Sequence, residues 1–158
     1  VFRFRSRSRI REARLGDLAG PVMRHFAGVL IVHNLDERLA ELHVGAADAI
    51  AMALKPDVVI VDIRDIREIQ REGRIPGSFH APRGMLEFWI DPASPYAKPI
   101  FQQDKKFIFH CAGGLRSALA AKTAQDMGLK PVAHMGGGFA AWRDAGGPIE
   151  PWEPKKKG

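Results

Sequence analysis

Cysteine is the scarcest reactive residue in this chain, because Cys111 is the only one among 158 residues. A single thiol excludes an internal disulfide framework, so the fold does not depend on an oxidising compartment. Without a second cysteine, and with no paired ligand spacing among the six histidines, a metal site is not expected. No apolar run reaches the ~18 residues of a membrane span, and the start has no secretory apolar segment. We therefore expect a soluble, cytoplasmic protein without cofactors or membrane partners.

Positive charge is concentrated at the two ends of the chain. The formal net charge is +6; residues 1–24 hold seven arginines against two acids, and residues 153–158 hold three lysines against one, so the middle carries −1. A neutral middle does not attract phosphate backbones, and we expect no nucleic-acid partner. We predict a basic, poorly ordered extension over residues 1–33, a domain over residues 34–150 and a basic tail over residues 151–158. The arginine-rich start is also typical of a transit peptide or of an arm that binds RNA or an anionic membrane.

Short apolar runs alternate with helix-forming segments through the middle of the chain. Continuous apolar runs are typical of strands buried on both faces, and strands that alternate with helices favour a parallel sheet. The sequence therefore predicts an α/β fold, with a mostly parallel central sheet and helices on both faces. The predicted strands are 57–63, 79–81, 107–109 and 131–135, and the predicted helices are 34–43, 46–54, 65–73, 83–90, 117–127 and 139–145.

The lone thiol stands at the point where a predicted strand gives way to a predicted helix. Ligands of parallel sheets bind beyond the carboxyl ends of strands, which is where Cys111 falls. Gly113 and Gly114 leave the loop amides free to turn toward one centre, and a helix amino terminus follows. Both features favour a thiolate over a thiol, and Arg116 adds a fixed positive charge for an anionic substrate. The pattern predicts a reactive cysteine.

Four stretches of the chain resemble the rhodanese family in their order and spacing. They are 61–64 (VDIR), 73–78 (GRIPGS), 111–117 (CAGGLRS), and 136–139 (GGGF) followed by Trp142. The resemblance covers about residues 46–148. It implies the rhodanese fold, a three-layer sandwich, in the single-domain form rather than the tandem form.

The resemblance also implies sulfur transfer through the lone cysteine. Cys111 would take sulfane sulfur from a small anionic donor such as thiosulfate, hold it as a persulfide and pass it to a thiol or to cyanide. The resemblance also implies that the loop over residues 112–117 binds the anion, and that the end of the predicted strand 57–63 supports this loop. The anion-binding residues are Ala112, Gly113, Gly114, Leu115, Arg116 and Ser117, and the supporting residues are Asp62 and Arg64.

Two other functions remain open on the sequence. A cysteine followed by a loop and an arginine is also typical of cysteine-dependent phosphatases, although those have five residues between the two and this chain has four. A non-catalytic or regulatory rhodanese-like binding module is the other alternative, because folds persist when their chemistry is lost. Such a module is expected to lose the cysteine or fill the loop, and neither has happened here. The sequence leaves open whether the protein is a monomer or a homodimer.

Overall fold

Five parallel strands form the centre of the fold. The computed structural model describes residues 40–153, so the predicted extension and the last five residues of the predicted tail lie outside the described residues. The sheet has the order β1-β5-β4-β2-β3, and every neighbouring pair is parallel. The predicted α/β architecture is confirmed. The strands are β1 (His43–Val44), β2 (Val58–Asp62), β3 (Phe79–His80), β4 (Lys106–His110) and β5 (Val132–Met135).

Within residues 40–153, five α-helices lie between and after the strands, with short 3-10 turns at Ala40–Leu42, Arg83–Met85 and Pro99–Gln102. Two predicted helices differ from the structure in kind, whereas the other predicted elements shift by one or two residues at their ends. The helix predicted over residues 83–90 is divided, because its first turn contains Gly84, a poor helix former, and takes the 3-10 form. Of the helix predicted over residues 34–43, Ala40–Leu42 takes the 3-10 form, His43 instead begins β1, and the residues before 40 lie outside the described residues. The helices are α1 (Ala46–Met52), α2 (Ile66–Glu72), α3 (Leu86–Ile90), α4 (Leu115–Asp126) and α5 (Gly138–Asp144).

The helices cover both faces of the sheet. Successive strand residues point to opposite faces, and the two central strands divide their apolar side chains accordingly. On one face Val59, Val61, Phe107 and Phe109 pack in a single core cluster with residues of α3 and α4. On the other face Ile60 and Ile108 pack with Ala49 of α1 and Phe139 and Trp142 of α5. The continuous apolar strands thus follow from burial on both sides.

A buried ion pair closes the carboxyl end of β2. The Arg64 guanidinium is fully buried and donates from Nη2 to Asp62 Oδ2 at 2.7 Å and to the Gly73 carbonyl at 2.8 Å. Its Cζ atom lies 3.9 Å from the centroid of the Phe139 ring. Burial by itself raises the pKa of Asp62, but the neighbouring His110 and the bonds from Arg64 outweigh it and lower that pKa. Arg64 therefore links β2, the end of α2 and α5.

The chain after α5 folds back onto the connection between α2 and β3. Arg74 and Glu150 exchange two backbone hydrogen bonds of 2.9 Å. The indole Nε1 of Trp142 donates to the Pro148 carbonyl at 2.9 Å. These bonds tie the segment through residue 150 to the domain.

Removing the buried cation should cost much of the stability of this fold. Arg64→Met leaves the Asp62 carboxylate buried without its partner, and we expect the free energy of unfolding to fall by about 3–5 kcal/mol. Urea unfolding followed by circular dichroism measures this. The control is Arg143→Met, because the Arg143 side chain is exposed and its Nε lies 3.8 Å from Asp144; its unfolding midpoint should stay at the wild-type value. Equal losses in both variants would contradict the assignment.

Candidate active site

Cys111 lies at the carboxyl edge of the sheet, one residue beyond β4. Its loop ends at Gly114, whose φ of +94° is the left-handed conformation that glycine accepts readily. Helix α4 then begins at Leu115, two residues before the predicted start at Ser117, because Leu115 and Arg116 are themselves good helix formers. The loop is therefore shorter than the sequence suggested, and the helix starts closer to the sulfur.

The sulfur of Cys111 contacts a backbone amide and a hydroxyl. The Gly114 amide donates to Sγ at 3.1 Å, and Ser117 Oγ lies 3.7 Å from Sγ. The Ser117 hydroxyl donates to the Gly114 carbonyl at 3.0 Å. The sulfur is held within the fold, since Cys111 is 1% exposed. An amide directed at sulfur favours its anionic form.

The loop is held by the first turn of α5. The Phe139 amide donates to the Cys111 carbonyl at 2.7 Å, and the Ala140 amide donates to the Ala112 carbonyl at 3.0 Å. The two backbones approach so closely that a Cβ atom at Gly138 would lie 2.4 Å from the Cys111 oxygen. The GGGF stretch therefore provides the close approach that fixes the loop.

The predicted loop residues differ in how deeply they are buried. Gly114 and Ser117 are buried beside the sulfur, and Ala112 is half-buried. Gly113 and Leu115 are exposed.

The predicted supporting residues, Asp62 and Arg64, lie beneath the loop and reach it through His110, which directly precedes Cys111. The Nε2 atom of His110 lies 3.5 Å from Asp62 Oδ2. Burial lowers the pKa of His110 to about 4, so this imidazole is neutral at physiological pH.

Arg116, predicted to bind an anion, pairs with Glu68 of α2. Its Nη1 and Nη2 donate to the two Glu68 carboxylate oxygens, each at 2.8 Å. Glu68 also accepts from the Asp65 amide at 3.0 Å and completes a capping box at the start of α2. The bonds from Arg116 lower the pKa of Glu68 to about 2. The Asp65-x-x-Glu68 spacing can be read from the sequence as a cap, but its pairing with a residue 48 positions away cannot.

A cavity of about 450 Å³ adjoins the outer side of the loop. It contains two histidines that the sequence analysis did not single out. His43 and His134 make an edge-to-face contact with ring centroids 5.4 Å apart. The remaining lining residues come from the loop and from the GGGF stretch: Gly113, Gly114, Leu115, Gly136 and Gly137. The two histidines come together because His43 of β1 pairs in register with His134 of β5.

The described part of the chain has neither a candidate metal site nor a helix that could span a membrane. Over residues 40–153, no group of three or more histidine, cysteine or acidic side chains could hold a metal ion. Within the same range no helix is both long and apolar enough to cross a membrane.

The rhodanese-like domain model matches residues 45–145, and the chain belongs to that family. It is 32% identical over 107 residues to the thiosulfate sulfurtransferase GlpE of Pseudoalteromonas translucida, covering 68% of this chain and 93% of the relative. It is 29% identical over 91 residues to the mouse thiosulfate sulfurtransferase/rhodanese-like domain-containing protein 3. That match covers 54% of this chain but only 58% of the mouse protein.

Solved structures agree on the fold. A Rhodopseudomonas palustris protein of unknown function, described as a possible tyrosine phosphatase, is 74% identical with a TM-score of 0.70, over 73% of this chain and 90% of its own. A rhodanese-like domain protein of Staphylococcus aureus is 25% identical with a TM-score of 0.56, over 70% of this chain and 98% of its own. These likenesses agree on a rhodanese-like domain.

The two neighbouring loop glycines should respond differently to a methyl group. At Gly114 the positive φ and a Cβ only 2.8 Å from the Gly137 nitrogen oppose alanine. We expect Gly114→Ala to lower the free energy of unfolding by at least about 1–2 kcal/mol. At Gly113 a Cβ meets no atom within 4 Å, so Gly113→Ala, the matched control, should stay within about 0.5 kcal/mol. Urea unfolding of both variants tests this, and a larger loss at Gly113 would contradict it.

The ion pair between Glu68 and Arg116 should make the free energy of unfolding depend on pH in the acid range. The pKa of Glu68 is about 2 in the folded chain against an ordinary 4.5, so its contribution is complete above pH 4.5 and is lost as the pH falls toward 2. Glu68→Gln has no such proton to bind and retains a capping residue. We expect the stability difference between wild type and Glu68→Gln to shrink over that range in urea unfolding at stepped pH. A stability difference that stays constant over this pH range would contradict the lowered pKa of Glu68.

Proposed function

We propose that this protein is a sulfurtransferase that carries sulfane sulfur on Cys111. The observation that carries the proposal is the hydrogen bond from the Gly114 amide to Cys111 Sγ, because it stabilises the negative charge that sulfur needs as a nucleophile. Membership of the rhodanese-like family supports it. The names of two relatives, a thiosulfate sulfurtransferase and a thiosulfate sulfurtransferase/rhodanese-like domain-containing protein, point to the same chemistry.

The proposed reaction has two transfers. In the first, the Cys111 thiolate forms a bond to the outer sulfur of the donor, while the bond between that sulfur and the rest of the donor breaks. With thiosulfate, sulfite departs with the electron pair. In the second, a thiol or cyanide attacks the outer sulfur of the Cys111 persulfide, and Cys111 leaves as thiolate. The negative charge on the Cys111 sulfur, when it attacks and when it leaves, is met by the Gly114 amide.

Intact-mass spectrometry after incubation with thiosulfate tests the first transfer. We expect the chain to gain one sulfur atom, located on the peptide that contains Cys111, and to lose it as thiocyanate when cyanide is added. Cys111→Ser should gain none and should show no turnover. If thiosulfate, an alkyl persulfide and a polysulfide all leave the wild-type mass unchanged, the sulfurtransferase is refuted and the binding module is favoured.

A cysteine-dependent phosphatase is the second candidate function. One specific observation favours it: the R. palustris protein at 74% identity is described as a possible tyrosine phosphatase. Against it stands the loop, in which four residues separate Cys111 from Arg116, so that it has less room for a tetrahedral oxyanion beside the sulfur. An aryl phosphate assay run beside the sulfur-transfer assay separates the two. Hydrolysis that requires Cys111, without sulfur loading, would favour the phosphatase.

A further inference from the structure

The arginine at the end of the Cys111 loop is already paired with a carboxylate. Both terminal nitrogens of Arg116 donate to Glu68, each at 2.8 Å, in the two-point geometry that guanidinium and carboxylate groups prefer. The pair is only partly exposed, with 43% of the Arg116 side chain and 22% of the Glu68 side chain accessible. An anionic donor would have to displace this carboxylate or approach the remaining N–H groups of Arg116 beside a like charge.

Glu68 is fixed in place by the helix that it caps. Its Oε2 accepts the Asp65 amide at 3.0 Å, while the Asp65 carboxylate accepts the Arg67 amide at 2.9 Å. The two bonds form the capping box at the start of α2. The Asp65 amide therefore helps to hold the Glu68 carboxylate beside Arg116.

Arg116 lies in the first turn of α4, two residues beyond the Gly114 amide that donates to Cys111 Sγ. The bonds with Glu68 are the largest cause of the raised pKa of Arg116, and the interaction of Arg116 with Cys111 is a smaller cause in the same direction. Because Glu68 keeps its charge throughout the physiological pH range, the pair adds no net charge beside Cys111. The loop lacks the attraction for small anions that its arginine would otherwise supply.

We propose that Glu68 is a specificity-determining residue which masks Arg116 and so weakens the preference of the loop for highly charged anions. This inference rests on the proposed sulfur transfer. The site then suits alkyl persulfide donors better than thiosulfate, because an alkyl persulfide carries at most one charge on its two sulfur atoms and thiosulfate carries two. With such a donor, Cys111 thiolate bonds to the outer sulfur, the donor sulfur–sulfur bond breaks, and the donor thiolate leaves with the electron pair.

Alkylation of Cys111 measures the local charge independently of any sulfur transfer. Iodoacetate is an anion and iodoacetamide is neutral, they are similar in size, and both require the same thiolate. The ratio of their rate constants therefore reports charge at the sulfur, while burial and thiolate fraction cancel. The chain has one cysteine, so every adduct lies at this site.

Glu68→Gln is the informative variant, because glutamine also completes a capping box. We expect its iodoacetate-to-iodoacetamide ratio to rise about five- to tenfold over wild type. Arg116→Gln should lower the ratio below wild type, and the double variant should return it close to wild type. The matched control is Glu87→Gln, which removes the carboxylate of another arginine pair, with Arg83 at 2.8 Å; its ratio should not change. An unchanged ratio in Glu68→Gln overturns the proposal.

Steady-state kinetics then test the substrate preference. In Glu68→Gln we expect KM for thiosulfate to fall severalfold at similar kcat, and kcat/KM for an alkyl persulfide donor, which carries less charge, to change by a smaller factor than kcat/KM for thiosulfate. Equal effects on both donors overturn the assigned preference. A raised alkylation ratio without turnover by any donor overturns the proposed sulfur transfer and the donor preference with it, while upholding the masking of Arg116 by Glu68.

Discussion

Two backbone hydrogen bonds, from Phe139 and Ala140 to the carbonyl oxygens of Cys111 and Ala112, hold the candidate site in its shape. These two bonds engage the carbonyl groups of the loop with α5. The Gly114 amide then donates to the Cys111 sulfur. Without this clamp the loop could turn a carbonyl dipole toward the sulfur, which would oppose the thiolate. The geometry around the cysteine thus depends on packing between the loop and the first turn of α5.

The clamp depends in turn on the buried ion pair at the end of β2. Arg64 lies against the Phe139 ring and binds Asp62. Asp62 pairs in register with His110, the residue before the nucleophile. The polar groups beneath the loop are therefore held by buried contacts, which makes them rigid but costly to change. Substitutions here are expected to disturb the loop through the fold rather than through direct contact with substrate.

Much of the architecture could be predicted because local pattern determines it. The apolar run over residues 58–61 predicted a buried strand, and β2 is Val58–Asp62. By contrast, β1 has only two residues, too few for any periodicity, and the pairing of His43 with His134 was missed with it. The ion pair between Glu68 and Arg116 was missed for another reason: it joins two helices, and only the three-dimensional arrangement brings them together.

The segment after α5 shows that a structural boundary need not coincide with a sequence-family boundary. The family match ends at residue 145, yet Glu150 still completes a two-bond bridge to Arg74 and Pro148 still accepts from the Trp142 indole. A chain cut at the end of the match would leave a buried indole N–H and two backbone groups without partners, each a sizeable penalty. Anyone excising this domain should therefore keep the few residues that close it behind its last helix.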